Sequence, residues 1–102
     1  MIDVRVNYDR MTVIATGHAG SPRTEDDRDL ACCGFSMLLQ AMIYSCQALP
    51  GVLVRPNLAK GDAFVQISTS PSQEQPVQHR LHMFADGVKM LSEKWPGCFK
   101  LK

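Results

Sequence analysis

The chain has 102 residues, of which 45% are hydrophobic, a size and composition typical of one domain with a single core. Eleven basic and ten acidic residues leave a formal net charge of +1. This balance argues against a nucleic-acid-binding module, which normally carries a basic excess, and against a polybasic membrane-binding patch. We therefore treat residues 1–102 as a single domain and expect neither direct nucleic-acid binding nor membrane binding.

The first residues contain no apolar stretch of the kind that a secretory signal needs, and this indicates the cellular compartment. The longest apolar segment, Leu30 to Ile43, is interrupted by Gly34, Ser36 and Gln40, so we expect it to be too short to span a bilayer. The expected location is the cytoplasm. The four cysteines are then expected to be reduced thiols, and no C-x-x-C spacing indicates a zinc site.

The first elements along the chain are predicted from its hydrophobic pattern. Residues 2–7 alternate apolar and polar side chains, and residues 11–16 are rich in β-branched side chains, which together predict a hairpin of two strands. A mostly charged loop, 20–28, follows. An apolar helix is predicted from about 30 to 48, with Asp29 as its N-cap, because a carboxylate there accepts hydrogen bonds from the free N–H groups of the first turn.

Three strands and a second helix are predicted in the rest of the chain. Residues 52–54 and 63–68 read as strands, the first interrupted at Pro56-Asn57, and residues 98–102 as a short final strand. Between them, apolar residues recur at steps of three and four from Val77 to Trp95, which predicts an amphipathic helix. The order β-β-α-β-β-α-β is typical of an α+β two-layer sandwich, with a mostly antiparallel sheet and two helices on one face.

The first helix has apolar residues on nearly every face, which is typical of a buried helix. In a two-layer domain one side of each helix faces away from the sheet. Burial of that side requires a second covering surface, for which a dimer partner is one candidate.

Cys32 and His18 are the candidate nucleophile and base. With Asp29 as the cap, Cys32 falls in the first turn of the helix, where free N–H groups and the helix dipole favour a thiolate. The same N–H groups, at Cys32 and Cys33, could form an oxyanion hole. His18 follows the second strand between small residues, and a strand end that faces a helix start can bring imidazole and thiol into hydrogen-bonding reach.

Structural roles for the same residues remain open at this point. A cysteine in an apolar helix is usually a small buried hydrophobe, and we expect Cys33 to face the core. Asp29 fits a cap better than a third catalytic residue, since a carboxylate opposes thiolate formation. Ser36, one turn after Cys32, could support the site or bond its own helix backbone.

His79 and His82 lie three residues apart on the second predicted helix and therefore share a face. With His18 or a cysteine they could ligate zinc, but no matching ligand pair appears elsewhere in the sequence. We expect the two histidines to be solvated, and predict neither a metal site nor a cofactor.

The two candidate segments together resemble the signature of a known family. Gly17-His18-Ala19, a loop, and then Asp29-Leu30-Ala31-Cys32-Cys33-Gly34-Phe35-Ser36 are similar to the G-H-A and D-x-x-C-A-small-apolar-S motifs of the ribosomal-processing cysteine proteases called Prp. The predicted element order, with Trp95-Pro96 before the last strand, fits that family along the whole chain.

The resemblance implies a cysteine endopeptidase with the catalytic pair His18 and Cys32, while Cys33 takes a position where the family usually has alanine. Members of that family are cytosolic homodimers. They remove an N-terminal extension from a large-subunit ribosomal protein and need no metal or cofactor. This chain departs from the pattern in its loop, which has no glycine after Gly20, so the mobility of the loop and the substrate sequence are in question.

Two other functions remain as alternatives. One is a non-catalytic, dimeric, ribosome-associated interaction protein in which Cys32 is structural. The other is a thiol redox protein, which requires a resolving cysteine within reach of Cys32; Cys46 lies far along the same helix, and Cys98 cannot be placed from sequence.

Overall fold

The computed structural model describes residues 1–17, 25–59 and 61–102. Seven regular elements follow the predicted order, with a short 3-10 turn before the second helix. Their bounds are β1 Ile2–Asn7, β2 Thr12–Gly17, α1 Glu25–Gln47, β3 Val52–Ala59, β4 Asp62–Thr69, the turn Pro71–Gln73, α2 Glu74–Lys94 and β5 Phe99–Leu101.

The described strands form one five-stranded sheet in the order β3-β4-β2-β1-β5. All neighbouring strands are antiparallel except β1 and β5, which run parallel. The β1–β2 turn is closed by Asn7, whose side-chain oxygen accepts hydrogen bonds from the N–H groups of Asp9 and Arg10 at 3.1 and 3.0 Å. The predicted α+β fold with a mostly antiparallel sheet is confirmed.

Both helices cover the same face of the sheet. Alternate side chains of β1, β2 and β4, such as Val4, Val13 and Val65, are fully buried and belong to one core with Phe35 of α1 and Phe84 of α2. This alternation follows from the two-residue period of a strand, which sends every second side chain to the helix layer.

Strand β3 is longer than predicted. It continues through Pro56 to Ala59, although the sequence analysis placed an interruption at Pro56-Asn57. Within the described sheet β3 is an edge strand paired only with β4. Proline, which has no N–H to donate, is tolerated on an edge strand because one side of that strand makes no ladder bonds.

Helix α1 begins at Glu25, about five residues before its predicted start. Asp29 therefore lies within the helix, and its predicted role as N-cap is wrong. The sequence 25–27 is acidic, and negative charge is favoured in a first helical turn by the helix dipole. The charged composition of this segment, which we took to indicate a loop, is thus compatible with a helix start.

The expectation that the apolar part of α1 is too short for a bilayer is also wrong. Leu30–Gln47 is long and apolar enough to cross one by length and composition, with a mean hydropathy of 1.3. The core helix of a globular domain passes the same test, and the inward side chains of this segment, including Phe35 and Met42, pack against the sheet and α2.

The side of α1 opposite the core is exposed in the single chain. Leu30, Met37 and Tyr44, spaced seven residues apart, have exposed fractions of 58%, 68% and 78%. The described residues of one chain therefore do not supply the second covering surface that we expect for this side, and its burial stays a prediction. Any covering surface for this face has to come from outside it.

Candidate functional site

A pocket of about 390 Å³ lies between α1, the end of β2 and the β3–β4 hairpin. Most of its lining is apolar or glycine. Its lining residues are Ile2, Ala15, Gly17, Cys32, Phe35, Ser36, Leu39, Gln40, Leu58, Ala59, Gly61, Asp62 and Ala63. Among the candidate residues that the structure describes, this pocket brings Cys32 and Ser36 together.

Cys32 is half-buried, packs against the core and lines the pocket. Cys33 is exposed, so the expectation that it faces the core is wrong. Successive helical residues are rotated by about 100°, and this rotation carries Cys33 past the pocket wall to the outside of α1. The geometry is thus consistent with Cys32, rather than Cys33, as the thiol that meets a bound molecule.

The end of β2 forms another part of the pocket wall and is fixed by Gly17. Its N–H donates to the carbonyl oxygen of Gly61 at 2.9 Å, which ties β2 to the β3–β4 hairpin. Gly17 has φ +100°, and a Cβ at this position would overlap the carbonyl oxygen of Met1. Glycine is therefore required here for both conformation and space.

His18 follows Gly17 directly in the sequence but lies outside the described residues, as does Ala19. The described part of β2 thus ends in the wall of the pocket that holds Cys32. The pairing of His18 with the Cys32 thiol stays a prediction from the sequence.

The observed helix start bears on the proposed oxyanion hole. Only the first four N–H groups of an α-helix lack a partner within the helix. Cys32 and Cys33 are the eighth and ninth residues of α1, counted from Glu25, so their N–H groups lie in its hydrogen-bonded part. These two N–H groups are therefore not among the free donors of the first turn, and this helix start provides neither the oxyanion hole nor the thiolate stabilisation expected for that position.

Ser36 contacts the site rather than its own backbone. It lines the pocket one turn after Cys32, and its Oγ accepts a hydrogen bond of 3.0 Å from Nε2 of Gln40. Gln40 lines the pocket as well. In the sequence, Gln40 is visible only as an interruption of the apolar run; its four-residue spacing from Ser36 was the available signal.

The hairpin side of the pocket was also missed. The turn at Lys60-Gly61-Asp62 is visible in the sequence, but its position opposite α1 is not. Leu58 and Asp62 line the pocket because β3 and β4 form the edge of the sheet beside α1. Asp62 and Gln40, together with Ser36 and Cys32, are the polar side chains of the described lining.

The two α2 histidines make no metal centre with the described residues. Within these parts of the chain, no group of three or more His, Cys, Asp or Glu is placed to hold a metal ion. His82 instead stacks on Tyr8, with ring centroids 4.1 Å apart. Burial, and to a smaller extent the nearby Asp86 carboxylate, raises the pKa of Tyr8.

All four cysteines are free thiols. Cys46 and Cys98 are buried in the core. Burial raises the pKa of Cys46, and the charge of Arg80 only partly opposes it. A buried thiol held in its neutral form is a poor resolving cysteine, which argues against the redox alternative for Cys46.

No protein-family model matches this sequence, and the search of curated proteins found no match.

Solved structures do resemble it. A crystal structure of the essential ribosomal processing protease Prp from S. aureus, in complex with a covalently linked product peptide, superposes with a TM-score of 0.74 at 22% identity and covers 99% of this chain and 95% of that one. A complex of the same protease with a substrate peptide also gives 0.74, at 18% identity and the same coverage. SMU.848 from Streptococcus mutans gives 0.68 at 21% identity, covering 99% of this chain and 90% of that one.

The motif resemblance found in the sequence is thus matched by a structural likeness that includes every described element. At these identities the likeness establishes the fold. Over 99% of its length, this chain has the fold of the ribosomal processing protease Prp.

Proposed function

We propose that this chain is a cysteine endopeptidase of the Prp family, and that it removes an N-terminal extension from a large-subunit ribosomal protein during ribosome maturation. Cys32 is the nucleophile and His18 its base. The reaction takes place in the cytoplasm, where ribosomal subunits are assembled.

One observation carries the proposal: the half-buried Cys32 lies in a pocket whose wall includes Gly17, the residue directly before His18. One described residue from each motif segment, Gly17 and Cys32, thus lines the same pocket. The same fold occurs in Prp structures with a substrate peptide and with a covalently linked product peptide. A covalent link between an enzyme and its product is typical of nucleophilic catalysis.

In the proposed mechanism His18 takes the proton of Cys32, and the thiolate attacks the scissile carbonyl carbon to form a C–S bond. His18 then gives its proton to the leaving amine as the C–N bond breaks. Water hydrolyses the resulting thioester and regenerates the thiol. Apolar side chains of the pocket lining, such as Leu39 and Leu58, accept apolar side chains of the peptide.

The proposal is tested with peptides from the N-terminus of the host's own large-subunit ribosomal protein. We expect wild type to cleave them and Cys32→Ala to be slower by at least about a thousandfold, as for loss of other nucleophiles. The matched control is Cys33→Ala, which removes an exposed thiol one residue away, keeps the backbone N–H and should cleave like wild type.

Cleavage by Cys32→Ala at the wild-type rate would contradict the proposal. Absence of cleavage by the folded wild-type protein, with a genuine extension on the substrate, would favour the interaction protein instead.

A homodimer is the second part of the proposal. It is supported by the exposed apolar face of α1, formed by Leu30, Met37 and Tyr44, to which α2 adds the exposed Met83 and Met90. We will call these five residues the outer helix face. Burial of apolar side chains against a second copy removes this surface from water.

Sedimentation velocity tests the dimer. Met37→Lys places a charge in the outer helix face and should shift the protein to monomer. Leu53→Lys, at a similarly exposed apolar position on β3, should not. A monomeric wild type, or a Met37→Lys variant that stays dimeric, contradicts this use of the face.

The same outer helix face also favours the second candidate function, a non-catalytic dimeric protein that associates with the ribosome. The two functions differ in one measurable respect. If the protein acts only by contact, Cys32→Ala supports ribosome maturation in cells as well as wild type does; if it is a protease, the uncleaved ribosomal protein accumulates.

A further inference from the structure

Three polar side chains follow one another along the pocket side of α1. Cys32, Ser36 and Gln40 are spaced four residues apart, and all three line the pocket. Side chains four apart on a helix lie one turn above another. They therefore form a column, with the proposed nucleophile at one end and Gln40 at the other. The rest of the described lining, apart from Asp62, is apolar or glycine.

The hydrogen bond within this column has a direction. Nε2 of Gln40 donates to Oγ of Ser36 at 3.0 Å. An amide N–H can only donate, so this bond uses a lone pair of the Ser36 oxygen and leaves the hydroxyl proton available. Among the described residues no side-chain or backbone atom, Sγ of Cys32 included, accepts that proton in this structure, and Ser36 and Gln40 are both exposed. The next polar group down the column is Cys32.

We propose that Gln40 is a positioning residue for Ser36. By fixing the Ser36 oxygen from above, it keeps the Ser36 O–H free to turn toward Sγ of Cys32 when that thiol ionises, and the hydroxyl then stabilises the thiolate by a charge-assisted hydrogen bond. The inference rests on the proposed function only in taking Cys32 as the reacting thiol. The motif that carries the family resemblance ends at Ser36 and assigns Gln40 no role.

Thiolate formation is measured directly by the rate of alkylation with iodoacetamide between pH 5 and 10, read at each cysteine by fragment mass spectrometry. Gln40→Met removes the donor but keeps the length of the side chain. We expect Cys32 in this variant to react about three- to tenfold more slowly at pH 7, the size expected for one hydrogen bond to a charged group at a partly exposed site.

Gln40→Glu should have the larger effect. A carboxylate at this position can only accept, so it takes the Ser36 proton away from Cys32. Cys33 is the internal control. It lies seven residues from Gln40 and Cys32 eight, about 10 and 12 Å along the helix axis, so a general effect of charge would slow both thiols. We expect only Cys32 to change.

A double-mutant cycle separates positioning from a merely structural role. If Gln40 acts through Ser36, then Ser36→Ala and the double variant Ser36→Ala with Gln40→Met have the same alkylation profile at Cys32. A further loss of reactivity in the double variant overturns the proposal. A Gln40→Met profile that overlays wild type overturns it as well.

The buried Cys46 reports on folding in the same samples, because it reacts only when the core opens. Faster alkylation of Cys46 in Gln40→Met would mean that this variant is destabilised. Gln40→Asn is then used in its place, since the shorter amide cannot reach Ser36. Peptide cleavage is measured in parallel. If Cys32→Ala abolishes cleavage but the Gln40 variants are alkylated at Cys32 like wild type, only the positioning role is refuted. If the Gln40 variants change the reactivity of Cys32 but Cys32→Ala still cleaves the peptide, the proposed protease function is refuted instead.

Discussion

The pocket side and the outer side of α1 differ in what their residues contact, although both carry apolar side chains. On the pocket side, Cys32 and Ser36 are held between the core, the end of β2 and the β3–β4 hairpin. On the outer side, Leu30, Met37 and Tyr44 are largely exposed. The two sides of a helix that is apolar all round thus differ: one side is packed by the chain itself, and the other is exposed in the single chain.

The largest expected effect concerns how much a side chain on each side of α1 contributes to the free energy of unfolding. Leu39 is buried between the core and the pocket, whereas Met37 is exposed two residues earlier. We expect Leu39→Ala to lower the free energy of unfolding by about 2–5 kcal/mol, because it leaves a cavity. Met37→Ala should change it by less than about 0.5 kcal/mol. Urea denaturation at low protein concentration measures both.

Equal losses at the two positions would show that the outer side is as tightly packed as the core. A Met37→Ala effect that grows with protein concentration would sharpen the comparison, because it assigns the outer side to the dimer.

An intermediate effect is expected at the strand end that forms the pocket wall. Gly17→Ala puts a side chain at φ +100° and against the Met1 carbonyl oxygen, so we expect a loss of about 1–3 kcal/mol. Gly97 is the matched control. Its φ is +85°, but a Cβ there would meet nothing within 4 Å, so Gly97→Ala should incur only the conformational part, about 1 kcal/mol.

Thermal unfolding of the two variants gives the difference. If Gly97→Ala is as destabilising as Gly17→Ala, contact with Met1 contributes nothing and the pocket wall is less constrained than described.

The smallest effect concerns pH and the core side of α1. Burial raises the pKa of Cys46 in the folded state above its unfolded value, so the folded state binds this proton more tightly. The associated stability is present at pH below the ordinary thiol range, about 8.5, and is lost as pH rises through the raised folded-state pKa. Urea midpoints from pH 7 to 10 should fall more steeply in wild type than in Cys46→Ala.

The raised pKa of Tyr8 acts in the same direction in both proteins and cancels in the comparison. Parallel slopes for wild type and Cys46→Ala would mean that the Cys46 thiol is better hydrated than its buried position indicates.

Much of the fold could be predicted from hydrophobic periodicity. The alternation in residues 2–7 and the three-four spacing from Val77 to Trp95 each report directly which side of an element faces the core. Errors arose where local signals were ambiguous. A charged segment that fits either a loop or an acidic first turn placed the start of α1 too late, and a proline that is tolerated on an edge strand cut β3 short.

For the site, the sequence by itself determined the candidate chemistry: a thiol, an imidazole and a hydroxyl in the order His18, Cys32, Ser36, within a motif that resembles one family. This information is local, because a motif is a run of neighbouring residues. Only the tertiary structure decided that Cys32 lines the pocket while Cys33 is exposed, that Gly17 and the β3–β4 hairpin form the opposite walls, and that Gln40 donates to Ser36. These facts depend on how a helix is rotated against a sheet edge, which is set by the packing of the whole core rather than by any single segment.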